Sequence, residues 1–273
     1  MSLVLNNNYM NFTIIFFVSI LGLIFGSFLN CLIWRLREKD SLWKRSYCPK
    51  CKKQLTWYEN IPIFSFIFLG GRCHYCKKKI SWQYPLVEFF FALIFLAIFL
   101  FLSSGKTYLD LTSSNFIISL ARDWLFLFIL TVVFVYDYNW QEVPMIIVWP
   151  GIALISILSW ILTGNILNVF ISVFVASAFF FLQYLISKKQ GLGEGDIWLG
   201  ALLGARFVDL QVLALAVFAS YMIGSFIAIF LLLKKKKGMK SKVPLGPFLV
   251  LGSLIALFFA DKILNWYLGL LLF

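Results

Sequence analysis

"FTIIFFVSILGLIFGSFLNCLIWRLR", residues 12–37, decides the fold. Its apolar run, Phe12–Trp34, is long enough to cross a bilayer core, which needs about 20 residues. Basic residues follow it at Arg35 and Arg37, and none precedes it. This stop-transfer pattern predicts a first membrane helix with the N-terminus outside, rather than a cleaved signal peptide.

The rest of the chain repeats this pattern. Hydrophobic residues make up 62% of the 273 residues, charged residues only 13%, and the mean hydropathy is +0.90. These values exclude an ordinary soluble domain and predict an all-α polytopic membrane protein of about eight transmembrane helices. The predicted spans are 12–34, 84–103, 118–136, 144–163, 166–187, 197–208, 210–233 and 246–260, followed by an apolar tail at 263–273.

The basic residues predict the orientation. Of the 24 Lys and Arg residues, 20 lie in the segments 35–79, 188–189 and 234–242. With eight spans and an outside N-terminus, all three segments fall on one side, which the positive-inside rule makes cytoplasmic. Topology and attraction to anionic membrane lipids therefore account for the net charge of +12, and no nucleic-acid partner is needed.

The long polar segment 35–83 carries the motifs CPKC and CHYC. Two Cys-x-x-Cys pairs at this separation are typical of a tetrahedral four-cysteine zinc site, which would supply much of the folding energy of a small loop. The alternative is two disulfides, which a reducing cytoplasm disfavours. The predicted zinc ligands are Cys48, Cys51, Cys73 and Cys76.

Two acids fall at the ends of predicted spans. Asp137 ends the third span in FVYDYNWQEVP (134–144), and Asp196 begins the sixth in GLGEGDIWLG (191–200). Two crossings separate them, so residues 59 apart return to the same, cytoplasmic face. Taken singly, Asp196 can be a helix N-cap and Asp137 an interfacial acid. As a pair they can share one proton and activate water, which is aspartic peptidase chemistry.

The glycines around Asp196 have two interpretations. Gly191, Gly193 and Gly195 permit positive φ and close approach of another chain, so an extended peptide substrate can pair with the backbone there. The alternative is a flexible link between two spans.

The ordered motifs resemble those of type IV prepilin leader peptidases. The resemblance covers most of residues 22–204 and rests on several motifs, of which GxGD alone would be weak. The motifs are GSFLNCLIWRL (26–36), CPKC (48–51), YENIPIFSF (58–66), GGRCHYC (70–76), YPLVE (84–88), DYNWQEVP (137–144) and GEGD (193–196).

The resemblance implies a bifunctional enzyme of the bacterial cytoplasmic membrane. Such enzymes cut the basic leader of prepilins or pseudopilins after a glycine at the cytoplasmic face, and many then N-methylate the new N-terminus with S-adenosylmethionine. It implies Asp137 and Asp196 as the catalytic pair and the four cysteines as zinc ligands. Motif or substrate-binding positions are Gly193, Glu194, Gly195, Glu88, Asn60 and Pro62; Gly26, Asn30 and Arg35 also match.

Two positions depart from the family pattern. Trp198 stands where a basic residue often follows the second aspartate, and Asn139 where a second acid often follows the first. Neither removes a proposed catalytic carboxylate. We expect residues 1–34 to form the first helix, 35–83 the zinc-binding loop and candidate methyltransferase part, and 84–273 the peptidase domain.

Three other functions are open at this point. A peptidase without methyltransferase activity fits the same acids. An ion-coupled transporter would use Asp137 and Asp196 as ion ligands, but it should bury them near the bilayer midplane rather than at span ends. A zinc-dependent membrane scaffold would need neither acid.

Overall fold

The computed structural model describes residues 2–106, 108–187, 193–233 and 245–271. In these residues the secondary structure is helical, apart from two isolated antiparallel bridges in the cysteine loop. A 3₁₀ helix spans Trp57–Asn60. The α-helices are α1 (Ser2–Glu38), α2 (Phe64–Phe68), α3 (Gln83–Ser103), α4 (Tyr108–Leu111), α5 (Ser114–Trp140), α6 (Met145–Thr163), α7 (Ile166–Ile186), α8 (Glu194–Arg206), α9 (Leu210–Leu233) and α10 (Gly246–Leu271).

The all-helical, multi-pass membrane architecture is confirmed. Within the described ranges, seven helices are long and apolar enough to cross a membrane: α1, α3, α5, α6, α7, α9 and α10. The eighth predicted span, 197–208, is the 13-residue helix α8. At 1.5 Å per residue α8 extends about 20 Å, less than a bilayer core of about 30 Å. Helix α10 continues through most of the predicted tail.

The chain forms two compact units, Met1–Lys106 and Thr107–Phe273. In the first unit, α1 and α3 pack along a seam of small residues. A Cβ on Gly22 would lie 2.9 Å from the Ala92 Cα, and one on Gly26 would lie 2.9 Å from the Glu88 Cα. Small residues let helix backbones approach this closely within a membrane. The division of the sequence at 34 and 83 stays a prediction.

The second unit holds α4–α10 around a core that includes Phe126, Leu130, Ile155, Phe180 and Leu202. Helix α8 lies inside this bundle and runs antiparallel to α7. Its Gly204 packs on the Ser172 carbonyl and its Gly200 on Phe180.

These glycines form a small-xxx-small pattern on α8, the arrangement that lets two helices pack closely in a membrane. The Ser172 hydroxyl donates a 2.8 Å hydrogen bond to the Gly204 carbonyl, which adds a polar contact to the packing. The short helix is thereby held at a fixed depth along α7.

Candidate active site

Asp137 lies near the C-terminal end of α5 and is buried. Its Oδ2 accepts a hydrogen bond of 2.9 Å from the Gly246 backbone N–H, at the first residue of α10. The helix ends just beyond, where Gln141 adopts a left-handed conformation (φ 55°). This left-handed C-cap directs the chain into the short turn before α6.

Gly246 is a site residue that the sequence prediction missed. A Cβ at this position would lie 2.5 Å from Asp137 Oδ2, so any other residue here would force the carboxylate out of its present position. The available signal was VPLGPF (243–248), a glycine between two prolines at the start of an apolar run. That pattern predicts a helix start, and nothing in it links residue 246 to an acid 109 positions earlier.

Asp196 lies in the first turn of α8, outside the seven candidate spans, and is half-buried. Its Oδ2 accepts a 3.0 Å hydrogen bond from the Gly193 N–H. The N-cap explanation of Asp196 is therefore partly correct, since the side chain satisfies a helix-start N–H, although the N-cap residue itself is Gly193.

The two glycines next to Asp196 differ in what surrounds them. A Cβ on Gly195 would lie 2.5 Å from Val143 Cγ2, whereas one on Gly193 would meet nothing closer than 3.8 Å. Gly195 therefore brings the start of α8 against the turn that follows Asp137. Neither residue has positive φ, so close approach explains Gly195 and the expected conformational freedom does not. Gly191 lies outside the described residues.

Asp137 lies close enough to Asp196 for its charge to affect the ionisation of that carboxyl. Burial raises the pKa of the Asp196 carboxyl to about 6, and the negative charge of Asp137 contributes to the rise. In each acid, Oδ2 accepts the backbone hydrogen bond. A neighbouring negative charge disfavours ionisation, so Asp137 adds to the effect of burial in favouring the protonated form of Asp196.

An ion pair fixes the other end of α8. Arg206 contacts the buried Asp123 of α5, with Nε 2.6 Å from Oδ1 and Nη2 2.8 Å from Oδ2. Asp123 precedes Asp137 by 14 residues, and Arg206 follows Asp196 by 10, so the helices run antiparallel. The ion pair aligns the two helices at one end, and the two acids lie at the other.

Glu194 also has a defined partner. It is exposed at the start of α8, and its Oε1 accepts a 2.8 Å hydrogen bond from the Tyr184 hydroxyl of α7. Tyr184 was not predicted as a site residue. This contact orients a carboxylate two residues before Asp196.

Glu88, Asn60 and Pro62 belong to the first unit. Glu88 is buried in α3, and its Oε2 accepts a 2.8 Å hydrogen bond from the Ile63 N–H. The exposed Asn60 donates from Nδ2 to the Thr56 carbonyl at 3.2 Å, and Pro62 is half-buried. The contacts of Glu88 and Asn60 organise the loop before α2.

The four predicted metal ligands come together in the first unit. Their Sγ atoms lie within 4.8 Å of one another, and no disulfide links any of them. Four thiolates about 2.3 Å from a tetrahedral zinc would lie about 3.8 Å apart, so the cluster can hold such an ion with a small contraction. The residues are Cys48, Cys51, Cys73 and Cys76.

The two cysteine pairs share one backbone turn. The Lys52 N–H donates to the Cys48 carbonyl at 2.8 Å, and the Lys77 N–H donates to the Cys73 carbonyl at 3.0 Å. Both lysines have positive φ, 59° and 57°. Since positive φ is uncommon for lysine, this repeated turn indicates two knuckles shaped to point thiolates at one ion.

Comparison with known proteins gives the family. The model described as the bacterial peptidase A24 N-terminal domain matches residues 20–102, and the type IV leader peptidase family model matches residues 124–229. No solved structure gives a significant match.

Curated relatives match across nearly the whole chain. A protein of Aeromonas hydrophila is 28% identical over 95% of this chain and 94% of its own. A protein of Legionella pneumophila is 28% identical over 92% of this chain and 93% of its own. A protein of Vibrio cholerae is 30% identical over 73% of this chain and 81% of its own. Each is named a prepilin leader peptidase/N-methyltransferase. With both domain models matched in order, the chain belongs to the type IV leader peptidase family.

Proposed function

We propose that this protein is a membrane aspartic endopeptidase that removes the basic leader of type IV prepilins or pseudopilins after a glycine. Asp137 and Asp196 are the proposed catalytic pair. The observation that carries the proposal is the pairing of two acids, each with one oxygen held by a backbone N–H, where α5 ends and α8 begins.

The reaction needs one proton shared between the acids. The ionised carboxylate takes a proton from water as the water oxygen attacks the scissile carbonyl, and the protonated carboxyl donates to the carbonyl oxygen. As the tetrahedral intermediate collapses and the C–N bond breaks, the carboxyl that took the water proton gives it to the amine nitrogen. The other carboxylate takes a proton from a hydroxyl of the intermediate, which restores the starting pair. Hydrogen bonds from Gly246 and Gly193 keep both carboxyl groups oriented for these transfers.

The proposed site is open to substrate beside Asp196. Gly193 and Glu194 are both exposed there. The backbone of Gly193 is itself hydrogen-bonded to Asp196, so the substrate contact proposed here is Glu194, whose carboxylate can attract a basic leader residue. Substrate-contact roles for Gly195, Glu88, Asn60 and Pro62 are proposed from the family motifs.

N-methylation of the new N-terminus is proposed from the names of the relatives, with the first unit as its host. S-adenosylmethionine would supply the methyl group. Zinc is the proposed ion of the cysteine cluster, because four thiolates in this spacing suit it, and its proposed role is structural. The membrane is proposed to be the bacterial cytoplasmic membrane, with both acids and the loop 35–83 facing the cytoplasm.

The position of the acids also separates the peptidase from the transporter. Asp137 lies one turn from the end of α5, and Asp196 in the first turn of α8. A transporter site would be expected near the middle of its spans. The end positions favour chemistry on a substrate that reaches the membrane surface.

The test is co-expression with candidate prepilins from the same genome, read by intact mass. The unchanged enzyme should remove the leader and add one methyl group. Asp196→Asn should leave the full-length precursor, while the matched control Asp209→Asn, at an exposed acid, should process normally. Cleavage without the methyl mass would indicate the peptidase-only alternative. Processing by Asp196→Asn would refute the peptidase proposal.

A further inference from the structure

The short helix α2 exposes an apolar face. Phe64, Ile67 and Phe68 are 53%, 64% and 84% exposed. Their spacing of three and four residues puts them on one side of the helix. Trp57, in the 3₁₀ helix that contacts α2, is 80% exposed. We call these four residues the α2 face.

The opposite side of α2 is packed. The Phe66 ring lies 4.9 Å from the Trp82 ring, centroid to centroid, and its atoms are close to Gly71. The helix thus turns one aromatic residue toward its own unit and its other large apolar residues outward. An outward apolar face of this kind marks an interaction surface.

Hydrogen bonding fixes the depth of α2 relative to the spans. The Ile63 N–H, directly before α2, donates to the buried Glu88 carboxylate. Glu88 is the sixth residue of α3, about 8 Å along the helix from its first residue. It packs on Gly26 of α1, which lies 12 residues, about 18 Å, before the end of that helix. Helix α2 therefore begins alongside α1 and α3 rather than beyond their ends.

The anchor also holds an unusual backbone. Ile63 has φ of 61°, a conformation that β-branched residues rarely adopt. The bond to Glu88 stabilises it, so the position of α2 is imposed by the surrounding structure.

The charges around this segment complement an anionic surface. Residues 35–79 contain twelve Lys and Arg but only three acids. Of the acids, Glu59 is buried and Asp40 forms an ion pair with Lys44. Basic residues that flank an aromatic segment in sequence, as Lys52, Lys53 and Arg72 do here, are typical of segments that lie in the interfacial region of a membrane with anionic lipids.

We propose that the α2 face inserts into the interfacial region of an anionic lipid leaflet, so that α2 is an in-plane membrane helix beside the spans of the first unit. Interfacial helices bury their apolar face by about 5–10 Å, and a helix anchored alongside two spans can place its face in that region. The metal-binding loop is thereby held at the bilayer surface. This proposal does not depend on the enzymatic activity.

The test places a photoreactive side chain on either side of α2. Phe68 is replaced by p-benzoylphenylalanine in the full-length protein, and a second protein carries the same replacement at Phe66, which faces inward. Both are reconstituted in nanodiscs that contain phosphatidylglycerol, illuminated, digested and analysed by mass spectrometry. Retained metal content and unchanged elution from a size-exclusion column serve as folding controls.

We expect lipid adducts at position 68, at least several-fold more abundant than at position 66. Adducts at 68 with other residues of the same chain would mean that protein covers the face, and adducts between two chains would mean a dimer contact. Either result, or equal lipid labelling at 66 and 68, would overturn the proposal.

Discussion

Each proposed catalytic acid depends on a glycine. Gly246 offers its N–H to Asp137, and Gly195 brings the residue beside it, Asp196, against the turn at Val143. The sequence identified both acids because each lies at the end of an apolar run. It could not identify Gly246, because a contact across 109 residues leaves no local pattern.

Gly195 and Gly193 give a matched comparison. Gly195→Ala would place a Cβ 2.5 Å from Val143 Cγ2 and 2.9 Å from its Cβ, so the turn at Val143 and the start of α8 must move apart. We expect kcat/KM to fall by about a hundredfold, since small displacements of catalytic groups have effects of this size. In Gly193→Ala the new Cβ would come no closer than 3.8 Å to another atom, so kcat/KM should change by less than about threefold. Cleavage of a purified prepilin in detergent measures both, and equal losses would contradict the close-approach explanation.

Gly246→Ala tests the hydrogen bond to Asp137. The new Cβ would lie 2.5 Å from Oδ2, so the carboxylate must move and lose its N–H donor. We expect kcat to fall by at least about tenfold. We also expect the pH–rate profile to shift, because a carboxyl without this N–H donor binds the shared proton with a different affinity. Gly269→Ala is the control in the same helix, with no atom within 4 Å. An unaltered profile in Gly246→Ala would mean that the hydrogen bond has no catalytic role.

Asp196 should link stability to pH. Its pKa is raised from 3.8 to about 6, so folding favours the protonated form, and that stabilisation is lost as the pH rises from about 4 through 6. Asp196→Asn removes this loss. Its free energy of unfolding should therefore exceed that of the unchanged protein by on the order of 1–3 kcal/mol between pH 5 and pH 8. Thermal unfolding in detergent measures it, with Asp209→Asn as control. If the stability difference between Asp196→Asn and the unchanged protein did not vary with pH, the raised pKa of Asp196 would be contradicted.

At the scale of elements, the sequence predicted where the helices lie along the chain better than which helices pack together and in what register. Asp123 lies within the predicted span 118–136 and Arg206 near the end of the predicted span 197–208, but their pairing requires that α5 and α8 be adjacent, which periodicity does not reveal. The ion pair, the small-residue packing of α8 on α7 and the contact at Gly195 together fix the register of α8. Asp123 also pairs with Arg122 at 3.0 Å, so replacing Asp123, which leaves the Arg206 charge without its carboxylate, should cost more than replacing Arg206.

The cysteine loop could be predicted more fully, since its spacing alone implies a tetrahedral site. Cys73→Ser should lower the bound zinc from about one ion per chain to near zero after dialysis and make residues 39–82 sensitive to protease. Cys31→Ser, at the free cysteine outside the cluster, should keep both zinc and resistance. Metal analysis and limited proteolysis of the full-length protein are the measurements. Full zinc retention in Cys73→Ser would contradict the four-cysteine site.

For the whole molecule, composition and charge were sufficient to predict a polytopic helical protein. The count of spans was less certain because α8 has the composition of a membrane helix but only 13 residues. Hydropathy cannot reveal that a short helix is covered by neighbours on several sides. Nor could it place the compact-unit boundary after α3, because the seam between α1 and α3 joins residues that are far apart in sequence.

The central claim is that Asp137 and Asp196 act as one unit. The direct measurement is prepilin cleavage by Asp137→Asn, Asp196→Asn and the double variant, each checked for an unchanged elution profile. We predict that each single variant loses activity by roughly a hundredfold to ten-thousandfold and that the double variant loses no more, since residues acting together are not additive. Normal cleavage by either single variant, or losses that multiply in the double variant, would contradict a shared proton.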